Sequence, residues 1–192
     1  MVKYNLAIFA SGAGSNAEQV LKFFRSHPAI KVALVVSNRS NAGVLDIAKA
    51  YGVPTVIVGK SELYESNHIV EILRNFEINF IVLAGFLLKV PAVLVELFPD
   101  KIINIHPALL PKFGGKGMYG IHVHQAVKDG NETETGITIH YVNEHYDEGN
   151  IIFQASCAIL PTDEVDTIRQ KVQKLEHEHF PIVIEKLLTG GV

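Results

Sequence analysis

The chain has 192 residues, one cysteine and a formal net charge of −3, with 48% hydrophobic and 19% charged residues. That is about one domain of ordinary globular composition, able to bury roughly two-thirds of its unfolded surface. An intrachain disulfide and a thiolate metal cluster are excluded, and the slightly acidic balance argues against a nucleic-acid binder, which needs a basic stripe.

Tyr4 to Ala10 reads as a first strand, and Ser15 to His27 as a helix with Val20, Leu21, Phe23 and Phe24 on its apolar face. Ile30 to Val36 is a strand, Ala42 to Tyr51 a helix and Thr55 to Val58 a strand. Ser61 opens a third helix, where Leu63, Ile69, Val70, Leu73 and Phe76 recur at helical spacing. Phe80 to Ala84 and Lys101 to Ile105 are the fourth and fifth strands. Strands separated by helical patterns predict βαβ units and a parallel sheet covered on both faces. The near-continuous apolar run Ile81 to Ala84 fits a strand buried on both sides.

The rhythm changes after Pro107. Pro111 to Gly120 holds four glycines and reads as a loop. Ile121 to Lys128 is a short helix. Gly136 to Val142 and Asn150 to Leu160 are β-like, with a connection too short for a helical crossover, so they form an antiparallel hairpin. A long helix from about Asp163 to Leu188 follows. The fold expected is α/β: a Rossmann-like, open, mostly parallel sheet with helices on both faces and a C-terminal antiparallel hairpin. One domain spans 1–192, with an α/β half to about 106 and a half from about 107 holding the hairpin and final helix.

No apolar segment approaches the roughly twenty residues that span a bilayer, and no leader peptide is expected. Cys157 sits in an apolar run and reads as core. These features fit a cytoplasmic protein with no nucleic-acid or membrane partner, as a monomer or homodimer.

In an open parallel sheet, ligands bind beyond the carboxyl ends of the strands. Three polar clusters fall there: Ser11 to Asn16, Ala84 to Lys89, and Asn104 to His106. The glycine loop Ser11-Gly12-Ala13-Gly14-Ser15-Asn16 joins the first strand to the first helix. Its amides and the helix N-terminus suit an anion. A phosphate monoester, a dinucleotide and a plain tight turn are all open readings of the loop. The second strand ends Val36-Ser37-Asn38 without the acid that a dinucleotide site expects. The Gly-Lys-Ser/Thr ending of a nucleoside-triphosphate loop is absent.

Asn104 and His106 lie two apart on a strand and so share a face. An amide and an imidazole side by side suit an oxyanion; a histidine capped by backbone is the bland alternative. For the imidazole to act as a cation it needs a nearby carboxylate. Asp147, Glu144 and Glu148 are candidates, and all three also fit a solvated turn. His122, His124, His140, His177 and His179 show no metal-ligand spacing.

Taken together, these residues are recognisable. Ser11-Gly12-x-Gly14-Ser15-Asn16, Leu83-Ala84-Gly85-Phe86, Asn104-Ile105-His106-Pro107-x-Leu109-Leu110-Pro111, then Gly136, His140 and Asp147-x-Gly149, in this order, closely resemble the 10-formyltetrahydrofolate-dependent formyltransferases. Within that family the likeness is to the purine-pathway branch, which formylates glycinamide ribonucleotide, and it covers essentially the whole chain. A member acting on another amine, such as an amino-sugar nucleotide, is the alternative. The additional domains of methionyl-tRNA formyltransferase and formyltetrahydrofolate hydrolase are not expected here.

The resemblance implies roles. Asn104, His106 and Asp147 match the family's catalytic residues, with Asp147 raising the His106 pKa. Gly14, Ser15 and Asn16 match the phosphate loop for glycinamide ribonucleotide, and Glu176 a contact to the same substrate. Leu87, Leu88, Lys89 and Val90, with the backbone of Asn143, Glu144, His145, Tyr146 and Asp147, match the folate pocket, which Asn104 also borders. The co-substrate implied is 10-formyltetrahydrofolate, with no metal. Two features depart from the family: Lys60 stands near where a folate-contacting Arg is common, and Leu87-Leu88-Lys89 replaces its Met-Arg.

Overall fold

The computed structural model describes residues 3–65 and 67–191. Five strands, β1 (Tyr4–Phe9), β2 (Ile30–Ser37), β3 (Thr55–Ile57), β4 (Phe80–Leu83) and β5 (Ile102–His106), run parallel. β6 (Glu134–Tyr141) then pairs antiparallel with β5, and β7 (Ile151–Ala158) antiparallel with β6. The sheet order is β3-β2-β1-β4-β5-β6-β7. The expected α/β class, the parallel sheet and the C-terminal hairpin are all present.

The apolar residues of each strand split between two layers, as a period of two requires. Leu6, Ile8, Val82, Ile103, Ile105, Ile137 and Ile139 pack with α1 (Ser15–Phe24), α2 (Gly43–Ala50) and α7 (Val165–Thr189). Ala7, Phe9, Ile81, Leu83 and Ile102 pack on the other side, against Leu63 of α3 (Lys60–Tyr64), Ile69 and Leu73 of α4 (His68–Asn75) and Leu94 of α5 (Ala92–Leu97). Burying a side chain of this size contributes about 1.5–3 kcal/mol, so these two layers are what hold the strand exits in place.

The single helix expected from Ser61 is two helices. Glu65 closes α3, its N–H donating to the Ser61 carbonyl, and Asn67 opens α4 by accepting from the Glu71 N–H. The helical spacing of Leu63 and Ile69 persists because both fill one layer, so periodicity alone does not reveal the break; Ser66 lies outside the described residues. The first helix ends at Phe24, short of the expected His27, whose Nδ1 instead accepts from the N–H groups of Ala29 and Ile30. The short helix α5 is additional; Pro91 precedes it, fixing φ where the helix begins. Helix α6 (Ile121–Asp129) follows the glycine-rich loop as expected. In α7, Pro181 stands inside the helix and has no N–H to offer the carbonyl of His177.

Candidate active site

Asn104 and His106 lie on the same side of β5 as Ile102, facing away from the α1–α7 layer. The antiparallel register sets His140 opposite Asn104 and Thr138 opposite His106. The side chains of 104, 106, 138 and 140 therefore share one face. Thr138 locks the chain after β5: its hydroxyl donates to the Ala108 carbonyl at 2.7 Å and accepts from the Leu110 N–H at 2.9 Å. That fixes the exit from His106 and turns the Pro111–Gly120 loop back over the ring.

Of the three candidate carboxylates, the structure brings in Asp147; Glu144 and Glu148 are exposed. The Asp147 Oδ2 is 3.6 Å from Nδ1 of His106 and accepts from the Gly115 N–H at 2.9 Å, while Oδ1 is 3.6 Å from Nε2 of His140. Asp147 sits at φ +57°, a conformation that a short polar side chain tolerates better than most. Gly149 lets this connection press against β6, since a Cβ there would lie 1.7 Å from the Tyr141 carbonyl oxygen.

His106 is 3% exposed, and its Nε2 donates to the Phe113 carbonyl at 2.8 Å. Both ring nitrogens thus face acceptors, the geometry that suits a cation. The expected rise in its pKa is not the net result. Burial holds the imidazole below its ordinary value, and His140 adds to this; Asp147 and the Phe113 carbonyl pull the other way. Burial also works to raise the Asp147 carboxyl, but His140, His106 and the Gly115 N–H together hold it below the carboxylate range.

His140 belongs to this cluster, though its position within a strand gave it no assigned role. Its Nδ1 donates to the Tyr141 carbonyl at 2.8 Å, and its Nε2 lies 3.1 Å from the Asn104 amide and 3.6 Å from Oδ1 of Asp147, so it accepts from Asn104 in the neutral ring and faces Asp147 in the cation. An amide nitrogen has two protons, so Asn104 keeps one to offer elsewhere. The signal that could have found His140 is the register: in a hairpin beside β5, the residue facing Asn104 is fixed once the pairing is known. His124 is buried nearby, with its pKa lowered to about 4 by burial and by the charges of Arg169 and His106.

The glycine loop lies at the exit of β1. Gly14 has φ +86°, and a Cβ on it would come within 2.7 Å of Val44. Ser15 and Asn16 open α1. The Ser15 hydroxyl accepts from Gln173 of α7 at 3.2 Å, and the Asn16 amide hydrogen-bonds the carboxyl of Glu176, one helical turn on. Burial pushes Glu176 up to about 7, against the opposing effect of Asn16. The Asn16 Oδ1 and the His177 Nε2 are buried without a partner. The structure therefore joins Glu176 to the loop, a contact across most of the chain's length.

Leu87, Leu88 and Lys89 follow β4, with Val90 buried behind them. The Lys89 carbonyl accepts from the Tyr64 hydroxyl at 2.7 Å, and its ammonium stands 6.0 Å from the Tyr146 ring centre. Asn143 holds the connection by accepting from the His145 N–H at 2.8 Å. Lys60 opens α3. Among the described residues, no group of three or more His, Cys, Asp or Glu could hold a metal ion, and no helix is long and apolar enough to cross a membrane.

The structure sets a glycine loop at one strand exit of a Rossmann-like sheet and a buried amide–imidazole–carboxylate set at another, an arrangement suited to group transfer. The formyl transferase family model matches residues 4–184, and the chain belongs to that family. It is 38% identical over 188 residues to the phosphoribosylglycinamide formyltransferase of Bacillus subtilis, covering 95% of this chain and 93% of that protein. The chloroplastic phosphoribosylglycinamide formyltransferase of Arabidopsis thaliana is also 38% identical, over 186 residues. The match covers 93% of this chain, which spans only 63% of the plant protein's length. Among solved structures, the phosphoribosylglycinamide formyltransferase of Bacillus halodurans superposes with a TM-score of 0.87 at 34% identity, covering 98% of this chain and 97% of that one. The enzyme of that name from Anaplasma phagocytophilum gives 0.89 at 31%, covering 98% and 88%.

Proposed function

We propose that the chain transfers the formyl group of 10-formyltetrahydrofolate to the primary amine of glycinamide ribonucleotide, in de novo purine biosynthesis. The observation that supports this best is the meeting of Asn104, His106 and Asp147 at one sheet edge in a formyl transferase family member. One domain carries both substrates. The phosphate sits on Gly14, Ser15 and Asn16, with Glu176 touching the same molecule. The folate lies along Leu87, Leu88, Lys89 and Val90 and the backbone of Asn143 to Asp147. The lone thiol fits a reducing compartment, and a cytoplasmic location is part of the proposal.

The amine nitrogen attacks the formyl carbon, forming a C–N bond and turning the carbonyl oxygen into an oxyanion. That oxygen takes the place of the Phe113 carbonyl at Nε2 of His106, while the second Asn104 N–H donates to it. Negative charge arriving beside the ring favours its protonated form, in the direction Asp147 already pulls. The C–N bond to the folate then breaks, and the proton lost by the amine ends on the departing folate nitrogen. The Asn104 N–H is already in place as charge develops, and the Phe113 carbonyl is the one group that has to give way.

The test is incubation of the purified chain with both substrates, following deformylated folate and formylated ribonucleotide together. Both form in equal amounts if the proposal holds. No turnover, or turnover only with a different amine, rejects it.

A further inference from the structure

Ser11 is the residue before the glycine loop and is 1% exposed. Its hydroxyl donates to Oδ1 of Asn38 at 2.5 Å and accepts from the Leu87 N–H at 2.8 Å. Its backbone N–H donates to the Gly85 carbonyl at 3.0 Å. A hydroxyl has one proton to give, so Asn38 taking that proton leaves the lone pairs for Leu87. Three strand exits are tied at one side chain: β1 through Ser11, β2 through Asn38, and β4 through Gly85 and Leu87. The regular pairing of β1 with β4 ends at Phe9 and Leu83, and the backbone bonds beyond it, Ala84 N–H to Phe9 and Ser11 N–H to Gly85, stop short of Leu87, which the Ser11 hydroxyl reaches. An edge-on contact of Phe9 with Phe86, ring centres 5.2 Å apart, is the apolar part of the same clasp.

One side of this tie leads to the phosphate loop, the other to the segment assigned above to the folate. We infer that Ser11 is a positioning residue that sets the spacing between the phosphate seat and the folate wall; this rests on the function proposed above. Transfer between two bound molecules is fast only when the reacting atoms are held close to contact. Buried as it is, Ser11 acts through the two loops. Without its hydroxyl, the Leu87 N–H and the Asn38 oxygen lose their partner, a loss that a well-packed site feels.

Inorganic phosphate titrated into the isotopically labelled full chain, with backbone amides followed by NMR, tests the inference without turnover. Phosphate is expected to shift the amides of Gly14 to Asn16 and that of Leu87 as well, and in Ser11→Ala the Leu87 response disappears. Shifts at the loop with none at Leu87 in the parent chain overturn the inference and leave the proposed function standing. No shift at the loop overturns the phosphate seat and the inference together. In kinetics, Ser11→Ala lowers kcat about tenfold per folded active site, the folded sites being counted by the same phosphate titration, while both KM values stay near those of the parent. Ser11→Thr, which keeps the hydroxyl, restores most of that kcat. Asn38→Ala reproduces the loss, and the double variant is no worse than either single one. A kcat per folded site equal to the parent's, or fully additive effects, overturns the assignment.

Discussion

At the exit of β1 the groups proposed to hold the phosphate, Gly14, Ser15 and Asn16, come from one continuous stretch, and Glu176 joins them from α7. At the exit of β5 they come from separate segments: Asn104 and His106 from one strand, His140 from its antiparallel neighbour, Asp147 from the connection beyond. The first region takes its shape from its own backbone, with Gly14 at positive φ, and from Ser11 beneath it. The second works by stacking polar groups in a buried place, where each satisfies another. Burial pushes the titratable groups in opposite directions as well. Beside the glycine loop it holds Glu176 up near 7, and near His106 it holds His124 down near 4.

This contrast sets an order of expected effects. Asn104→Ala and His106→Ala fall hardest on rate, by about 10²–10³ in kcat, while phosphate binding at the other end is untouched. Steady-state kinetics beside a phosphate titration check this, and near-normal turnover in either variant removes the residue from the centre. Gly149→Ala comes next. Its Cβ collides with the Tyr141 backbone, so the Asp147 connection must shift, at a cost of about 3 kcal/mol in denaturant unfolding.

The third effect is a pH slope. His124 is buried neutral, so the unfolded chain binds the extra proton between its ordinary pKa and about 4. Stability therefore falls as pH drops through that window, by about 2–3 kcal/mol, and His124→Leu flattens the slope. Glu176 gives the smallest effect, with the opposite sign. The native state holds the proton up to about 7, so stability falls as pH rises from the ordinary Glu value toward neutrality. Glu176→Gln is expected to be about 1–2 kcal/mol more stable than the parent at pH 8 and equal to it near pH 4. Unfolding curves across pH that slope the same way for both groups would erase the contrast.

The two regions also differ in how much the sequence discloses. A glycine loop between an apolar run and a helical pattern carries its conformation in its own residues, as Gly14 does with its positive φ. The same locality made β1 to β5 and the hairpin legible. Asn104 and His106 were legible as a pair because the strand period is fixed. Which carboxylate lies beside them was not legible from the pattern, only from the family resemblance that singles out Asp147, because Asp147, Glu144 and Glu148 lie within five residues and the folded connection separates buried from exposed. His140 needed the register, and the break between α3 and α4 was hidden because both helices fill one apolar layer. The lowered His106 pKa follows from burial depth, a quantity that no local pattern carries.

Pro181 has a consequence for the last helix. Because it leaves the His177 carbonyl without its usual donor, the hydrogen-bond ladder of α7 is cut one turn beyond Glu176. The helix nevertheless runs on to Thr189, because Phe180, Val183, Ile184 and Leu188 on either side of the gap are buried in one apolar layer with Val172. Side-chain burial, more than the backbone ladder, keeps the turn that carries Glu176 against Asn16.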